Sequence, residues 1–334
     1  LGPAVERFES SFAQYCGCRH AIGVNSGTSA LHLALLHLGA RPDTEVIVPA
    51  MTFVATAMAV AYTGATPVFA DIDSETFTLD PAAAEAAITP RTIGIVPVHL
   101  YGQPARVSDL QALCSRRGLF LLEDAAQAHG AEVGGRRCGT FGAAACFSFY
   151  PGKNLGAAGE AGAIVTNDTQ LAESVRRLRD WGQRERYRHE TIAFNYRMEG
   201  LQGAVLGVKL RHIEEWTERR RAVARAYDAG LAGLPDLALP RAAADLRHVY
   251  HIYAVRHPRR DALRTALGAA GIQTGLHYPV PLHLQPCFAA LGGHPGQFPV
   301  AEALAREELS LPIYPELTPT QIAEVCAAIR RTLS

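Results

Sequence analysis

Apolar residues recur along this chain in two periods. Short runs bounded by Gly, Pro, Asn or Asp, namely HAIGVN (20–25), EVIVP (45–49), TPVFAD (66–71), TIGIVPVHL (92–100) and LFLLED (119–124), read as strands buried on both faces. Between them lie segments with helical spacing: 4–15, the apolar stretch SGTSALHLALLHLG, Thr52 to Thr63, Pro81 to Ile88, and 107–117. This alternation predicts an α/β domain with a doubly wound, mainly parallel sheet. Ligands in such a sheet gather beyond the carboxyl ends of the strands. Thr28, Phe53, Asp124 and Ser148–Lys153 all fall at such ends.

Two more apolar runs, Ala144–Phe149 and Ala161–Thr166, flank a glycine-rich loop that carries Lys153. A helix over 168–179 then leads into RDWGQRERYRHETIAFNYRM, an arginine-rich loop, and a long helix from Glu199 to Leu231 leaves the first domain. The smaller domain is expected to hold strands at VYHIYAVR (249–256) and IQTGLHY (272–278), with a helix at 259–269 closed by Gly271. TPTQ (318–321) has capping-box spacing, with Pro319 at the first position of a last helix. The division expected is a large domain over 1–215 and a small C-terminal α/β domain over 216–334.

Composition narrows the function. Formal net charge is zero and the pI is near neutral, so nothing supports nucleic-acid binding. No apolar run is long enough to span a bilayer, and the N-terminus has no signal-peptide pattern. The chain starts at Leu1 rather than Met, so a leading segment is expected to precede it. Its seven cysteines are odd in number and scattered, and Cys16 and Cys18 are too close for a zinc or redox spacing. Reduced thiols in a cytoplasmic protein, with no metal site, are the expectation.

Lys153 and Lys209 are the only lysines, in a chain that uses arginine nearly everywhere. A guanidinium stays protonated, whereas a desolvated ammonium can lose its proton and become a nucleophile toward carbonyls and pyridoxal phosphate. The rival reading is a loop lysine paired with Glu160. Asp124 and Gln127 have capping-box spacing before 125–129, so Asp124 reads either as a helix cap or as a buried carboxylate facing a protonated ring nitrogen. The backbone amides of Gly27, Thr28 and Ser29 open a helix and suit an anion, usually phosphate; an ordinary capped helix is the alternative. The segment around Gly152 and Lys153 is not a Walker loop, and Gly156, Gly159 and Gly162 precede a strand rather than follow one. Arg184, Arg186, Tyr187 and His189 could meet an anionic substrate group or form a solvated face.

SGTSALHLAL, VPAMTFVATAMAV, PVFADID, EDAAQAHGA, FSFYPGKNLGAAGEAG and FNYRMEGLQGAVLG together resemble the DegT/DnrJ/EryC1/StrS family of sugar aminotransferases, over essentially the whole chain. The resemblance implies a fold-type-I pyridoxal 5'-phosphate enzyme of amino-sugar biosynthesis. It makes Lys153 the Schiff-base lysine and Asp124 the partner of the pyridine nitrogen. Gln127 would lie by the ring hydroxyl, Phe53 against the ring, and Gly27, Thr28 and Ser148 around the phosphate. Asn195 would reach the phosphate of a neighbouring subunit, which implies a homodimer with shared active sites. Glutamate is the expected amino donor and a nucleotide-linked keto-sugar the expected acceptor. Arg184, Tyr187, His277, Tyr278 and His283 are candidate substrate contacts, with a structural turn as the alternative at HYPVPLHLQP (277–286). Ala161 departs from a glycine common in relatives, and the family's usual opening segment is absent. A dehydratase of the same family usually carries histidine in place of the lysine, and a non-catalytic regulator would not need the Lys153–Asp124 pair.

Overall fold

The computed structural model describes residues 2–243 and 245–333. Helix α1 (Pro3–Cys16) precedes β1 (His20–Val24), and α2 (Gly27–His37), β2 (Glu45–Pro49), α3 (Ala55–Tyr62), β3 (Thr66–Ala70), α4 (Pro81–Ala86), β4 (Thr92–Ile95), α5 (Val107–Arg117) and β5 (Phe120–Asp124) follow in alternation. A small hairpin, β6 (Glu132–Val133) and β7 (Arg136–Arg137), comes before β8 (Ala144–Ser148), β9 (Gly162–Thr166) and α6 (Thr169–Leu178). A second hairpin, β10 (Gln183–Glu185) with β11 (Arg188–His189), lies in the arginine-rich segment. The chain closes with α7 (Gly200–Lys209), α8 (Ile213–Leu231), β12 (Leu246–Arg247), β13 (Tyr253–Arg256), α9 (Arg260–Ala269), α10 (Pro299–Glu307), β14 (Glu308–Leu311) and α11 (Pro319–Leu333).

Seven strands form the main sheet in the order β1-β9-β8-β5-β4-β2-β3. The neighbours from β8 to β3 pair in parallel, and β9 alone runs antiparallel to both β8 and β1. Side chains alternate across the sheet with period two. Ala144, Cys146 and Ile164 pack under Leu31 and Leu35 of α2, whereas Ala145, Phe147 and Val165 meet Phe8 and Phe12 of α1 on the other face. Phe12 makes edge contacts with Phe147 and Phe149 at 5.1 and 5.2 Å between ring centres, each worth about 0.5–1.5 kcal/mol beyond area burial. Burial on both faces explains why these strands read as unbroken apolar runs.

Helix α8 joins two cores: Ile213 packs with α1 and the main sheet, while Val223, Ala224 and Tyr227 pack with β13, β14, α9 and α11. Residues 246–249 cross back, since β12 pairs with β6 and Val249 joins the core under α1. The capping box forms as expected: Thr318 Oγ accepts the Gln321 N–H, and Gln321 Oε1 accepts the Thr318 N–H.

Several expected elements differ. No helix follows Asp124; 125–131 is a run of turns, because Gln127 Oε1 accepts the Tyr101 N–H instead of capping its own segment. The helix from Glu199 to Leu231 is interrupted by a 3-10 turn at Leu210–His212. The strand expected at 249–256 is reduced to 253–256: Tyr250 has a positive φ of 44°, and Arg220 Nη1 binds the carbonyls of Tyr250 and Ile313. The strand expected at 272–278 is a single bridge, Gly275 to Ser310, because the His277 N–H goes to the Glu308 side chain. The segment α10–β14 went unassigned, although its buried Ala301, Leu304 and Ala305 have helical spacing.

Candidate active site

A pocket of about 640 Å³ opens beyond the carboxyl ends of the parallel strands. Ser26–Thr28 enter it after β1, Phe53 after β2, Val98 after β4, Asp124 from the end of β5, and Ser148 and Lys153 from β8 and its loop. His251, His277 and Tyr278 also line it. The structure thus brings Gly27, Thr28, Phe53, Asp124, Gln127, Ser148, Lys153, His277 and Tyr278 to one cavity.

The loop between β8 and β9 is tied back on itself. The Phe149 N–H donates to the Ala161 carbonyl, the Ala157 N–H to Phe149, and the Lys153 N–H to Tyr150. A Cβ at Gly156 would lie 2.3 Å from the Pro151 carbonyl oxygen, so only glycine permits that closure. Lys209, the other lysine, donates from Nζ to the Gly156 carbonyl at 2.6 Å and braces the loop from α7. Ala161 is fully buried in this turn. Lys153 Nζ has no ion pair or hydrogen bond among the described residues, and Glu160, which lines the same cavity, does not pair with it. Burial pushes the ammonium down to about 8, opposed by the field of Asp124.

Asp124 is 5 % exposed. Its Oδ2 accepts the Thr56 hydroxyl at 2.8 Å and its Oδ1 the Ala126 N–H at 3.1 Å. Burial raises its pKa above the usual carboxylate value; those two donors and the Lys153 charge pull the other way and do not overcome it. A buried anion with only neutral direct partners is an incomplete ion pair.

At the other end, Ser26 caps α2: its Oγ accepts the Ser29 N–H at 3.0 Å and its carbonyl the Ala30 N–H at 3.1 Å. The N–H groups of Gly27 and Thr28 are left at the positive end of the helix, in the pocket wall. A Cβ on Gly27 would sit 2.8 Å from Ser148 Cβ, and one on Gly162 would sit 2.4 Å from the Ser26 carbonyl. Glycine at both positions lets α2 approach the β8–β9 edge closely enough for Ser148 to lie beside the Gly27 and Thr28 amides. Phe53 is half-exposed into the cavity, 5.6 Å from the Tyr278 ring and tilted to it. Gln127 Nε2 donates to the Tyr278 hydroxyl at 3.1 Å.

Four predicted residues lie elsewhere in the chain. Arg184 and Tyr187 sit on the exposed β10–β11 hairpin, Asn195 is exposed beside its bridge to Asp180, and His283 is buried with Nε2 on Glu302 at 3.1 Å. Two pocket residues escaped the sequence reading. Thr56 is a buried hydroxyl in the otherwise apolar ATAMAVAY, and His251 interrupts an apolar run; each was visible as a polar residue at a core-like position. His99, Glu123 and Cys138 also cluster, but Glu123 accepts the N–H groups of Gly139, Phe141 and Gly142, and His99 is spent on Glu123 and the Ala105 N–H, so their ligand atoms are already committed.

The model of the DegT/DnrJ/EryC1/StrS aminotransferase family matches residues 1–330. A dTDP-3-amino-3,4,6-trideoxy-alpha-D-glucose transaminase from Streptomyces venezuelae is 52% identical over 99% of this chain and 87% of its own length. A UDP-N-acetyl-3-dehydro-alpha-D-glucosamine 3-aminotransferase from Acidithiobacillus ferrooxidans is 46% identical over 100% of this chain and 89% of its own. Among solved structures, S. venezuelae DesV in complex with a ketimine intermediate superposes with a TM-score of 0.97 at 52% identity, covering 99% of this chain and 89% of that one.

Proposed function

The chain belongs to the DegT/DnrJ/EryC1/StrS aminotransferase family and is a pyridoxal-phosphate enzyme, and from that premise we propose that it moves an amino group from glutamate to C3 of a nucleotide-linked 3-keto-sugar. The observation that carries this reading is the presence of Lys153 and Asp124 in one cavity: an amine that burial brings near neutrality, and a buried carboxylate short of a cation. The choice of C3 rests on the two relatives, whose names both place the nitrogen there.

The cavity's donors fit the cofactor. Bound pyridoxal phosphate supplies an aldehyde that condenses with amines and a protonated ring that withdraws electrons. Gly27, Thr28 and Ser148 would hold its phosphate, Phe53 would lie against the ring, and Gln127 by the ring hydroxyl. Asp124, steadied by Thr56, would keep the ring nitrogen protonated, since each buried charge would hold the other. Lys153 would be the amine that meets the aldehyde and the base that moves the proton between carbon atoms.

A homodimer with shared sites accompanies this reading. Among the described residues no arginine lines the cavity, whereas Arg184, Tyr187 and Asn195 stand exposed on one segment of the surface. Ile192 in that segment is 97 % exposed and Tyr62, Leu201 and Val208 more than half exposed, apolar area suited to a second copy. Seven free thiols support a reducing compartment, the cytoplasm. We put the domain boundary near 215/216; the change of packing along α8 from one core at Ile213 to the other at Val223 supports it.

The test is incubation with glutamate and a panel of dTDP- and UDP-linked 3- and 4-keto-sugars, reading 2-oxoglutarate and the amino-sugar product. Amination of a 4-keto-sugar alone would remove the C3 assignment. Absence of any amino-sugar from a cofactor-loaded enzyme would remove the sugar reading.

A further inference from the structure

Behind His277 runs a buried polar chain that the chemistry above leaves unused. Glu308 opens β14, is 1 % exposed and forms no ion pair with a described residue. Its Oε2 accepts the backbone N–H of His277 at 2.7 Å, and its Oε1 accepts the Ser310 hydroxyl. That hydroxyl has a single proton, so the 2.7 Å contact between Ser310 Oγ and His277 Nδ1 has to be donated by the ring. With Glu308 ionised, His277 therefore carries its proton on Nδ1 and presents Nε2 as a lone pair. Nε2 has no hydrogen bond within the described residues, and the ring lines the cavity of Lys153.

We infer that Glu308, Ser310 and His277 form a proton relay through which His277 acts as both base and acid on the acceptor sugar while its ring stays neutral. A proton taken from a pocket hydroxyl at Nε2 releases the Nδ1 proton to Ser310 Oγ, and the Ser310 proton passes to Glu308 Oε1. Ring and hydroxyl finish neutral, with the negative charge moved from Glu308 to the pocket oxygen; the reverse sequence returns the proton. Exchanging a ketone oxygen for nitrogen expels that oxygen as water, so a donor to the oxygen is needed besides the amine that handles the carbon-bound proton. His277 is the group that meets the substrate, and Ser310 and Glu308 are positioning residues.

The surroundings suit the task. Burial raises Glu308 to about 7, with Ser310, the His277 N–H and Arg260 of α9 opposing, so both protonation states are accessible near neutrality. Its own charge in turn raises the hydroxyls of Tyr101 and Tyr278. Arg260 is spent on the Glu308 carbonyl at 2.8 Å and on Asp261 at 2.6 Å. Burial and the facing Lys153 lower His277, which disfavours an imidazolium and leaves the neutral relay.

The assignment of the relayed proton to a sugar rests on the proposed function, but the relay itself can be read without substrate or cofactor. Nitrogen NMR of histidine-labelled protein, with His277 identified by its loss in His277→Asn, reports which ring nitrogen holds the proton. Wild type should carry it on Nδ1 at about pH 8.5 and shift toward Nε2 at about pH 5.5. In Glu308→Gln the amide oxygen must accept the His277 N–H, so its NH2 faces Ser310 and the Ser310 hydroxyl turns to Nδ1; the proton should sit on Nε2 at both pH values. Ser310→Ala should abolish the shift, Ser310→Thr should retain it, and either decides the matter if the glutamine variant does not fold. A wild-type tautomer that ignores pH, or a shift that survives Ser310→Ala, would overturn the relay. In turnover, Glu308→Gln and Ser310→Ala should lose about a hundredfold with the keto-sugar, the low end of acid–base contributions, and keep the glutamate half-reaction. Loss of both halves alike would overturn the assignment to the acceptor. A normal tautomer shift in an enzyme that aminates no sugar would leave the relay standing and remove the functional reading.

Discussion

Replacing Asp124 by Asn separates its two readings, because the variant keeps the local bonds and removes only the charge. The amide oxygen can still accept the Ala126 N–H, and the NH2 can donate to Thr56 Oγ, which has Thr52 Oγ 3.4 Å away for its own proton. No helix follows Asp124, so no cap is lost. The cofactor-free protein should fold as stably as wild type or slightly better, since an incompletely paired buried carboxylate has gone. Catalysis should suffer. Breaking a buried ion pair from one side costs about 3–5 kcal/mol. At about 1.4 kcal/mol per tenfold, that is a loss of roughly two to four orders of magnitude in the glutamate half-reaction. The field of Asp124 also raises Lys153, so the variant's Lys153 should titrate below the wild-type value of about 8. The assay is single-turnover bleaching of bound cofactor by glutamate across pH, beside thermal unfolding and a count of bound cofactor. Turnover within tenfold of wild type, with cofactor bound, would refute the pairing of Asp124 with the ring nitrogen.

Borohydride reduction followed by digestion should place the pyridoxyl group on Lys153; finding it on Lys209, which is committed to the Gly156 carbonyl, would contradict the site described. In the cofactor-free protein, Lys153 binds its proton less tightly folded than unfolded, so its contribution is unfavourable below about 8 and fades as pH rises toward 10.5. Lys153→Met should therefore be the more stable protein at neutral pH, with its advantage shrinking over that window in urea titrations. Gly27→Ala, whose Cβ would meet Ser148 Cβ at 2.8 Å, should weaken cofactor binding by more than tenfold on equilibrium dialysis. Mixed Lys153→Ala and Asn195→Ala subunits should regain activity, up to about half of wild type in pure heterodimer if sites are independent; no recovery despite proven exchange would mean each chain builds its own site.

How much of this was legible depended on who satisfies the backbone. Where strands pair with strands, as in Glu45–Pro49, or a helix closes on itself, as in Val107–Arg117, apolar periodicity matched the observed bounds. Where a side chain takes the backbone group, periodicity misled. Arg220 holds the carbonyls of Tyr250 and Ile313, Glu308 holds the His277 N–H, and Gln127 holds the Tyr101 N–H. Those partners are 26 to 93 residues apart in sequence, beyond the reach of any local pattern. Lys153 was legible because lysine is so rare here. Thr56 was visible as a polar residue at a core-like position, but its partner was not, since that contact exists only once α3 is laid against the end of β5.

The groups left without partners suggest how the proposed cofactor would lie. Three features of the cavity are unfinished within the chain: the Lys153 amine, the Asp124 carboxylate, and the N–H groups of Gly27 and Thr28 at the α2 terminus. Each wants a different chemistry. A near-neutral amine takes a carbonyl carbon, a buried anion takes a protonated nitrogen, and a helix N-terminus beside a hydroxyl takes an oxyanion. Pyridoxal phosphate offers one of each, so Lys153, Asp124 and the Gly27 and Thr28 amides would each hold a different part of it, whereas a phosphate set against Asp124 would meet like charge. Like charges in a buried site repel by several kcal/mol, more than any gain from stacking on Phe53. On the proposed function, the orientation of the cofactor would follow from which groups the fold leaves unpaired, and His277 and Tyr278 in the same cavity would be left for the substrates.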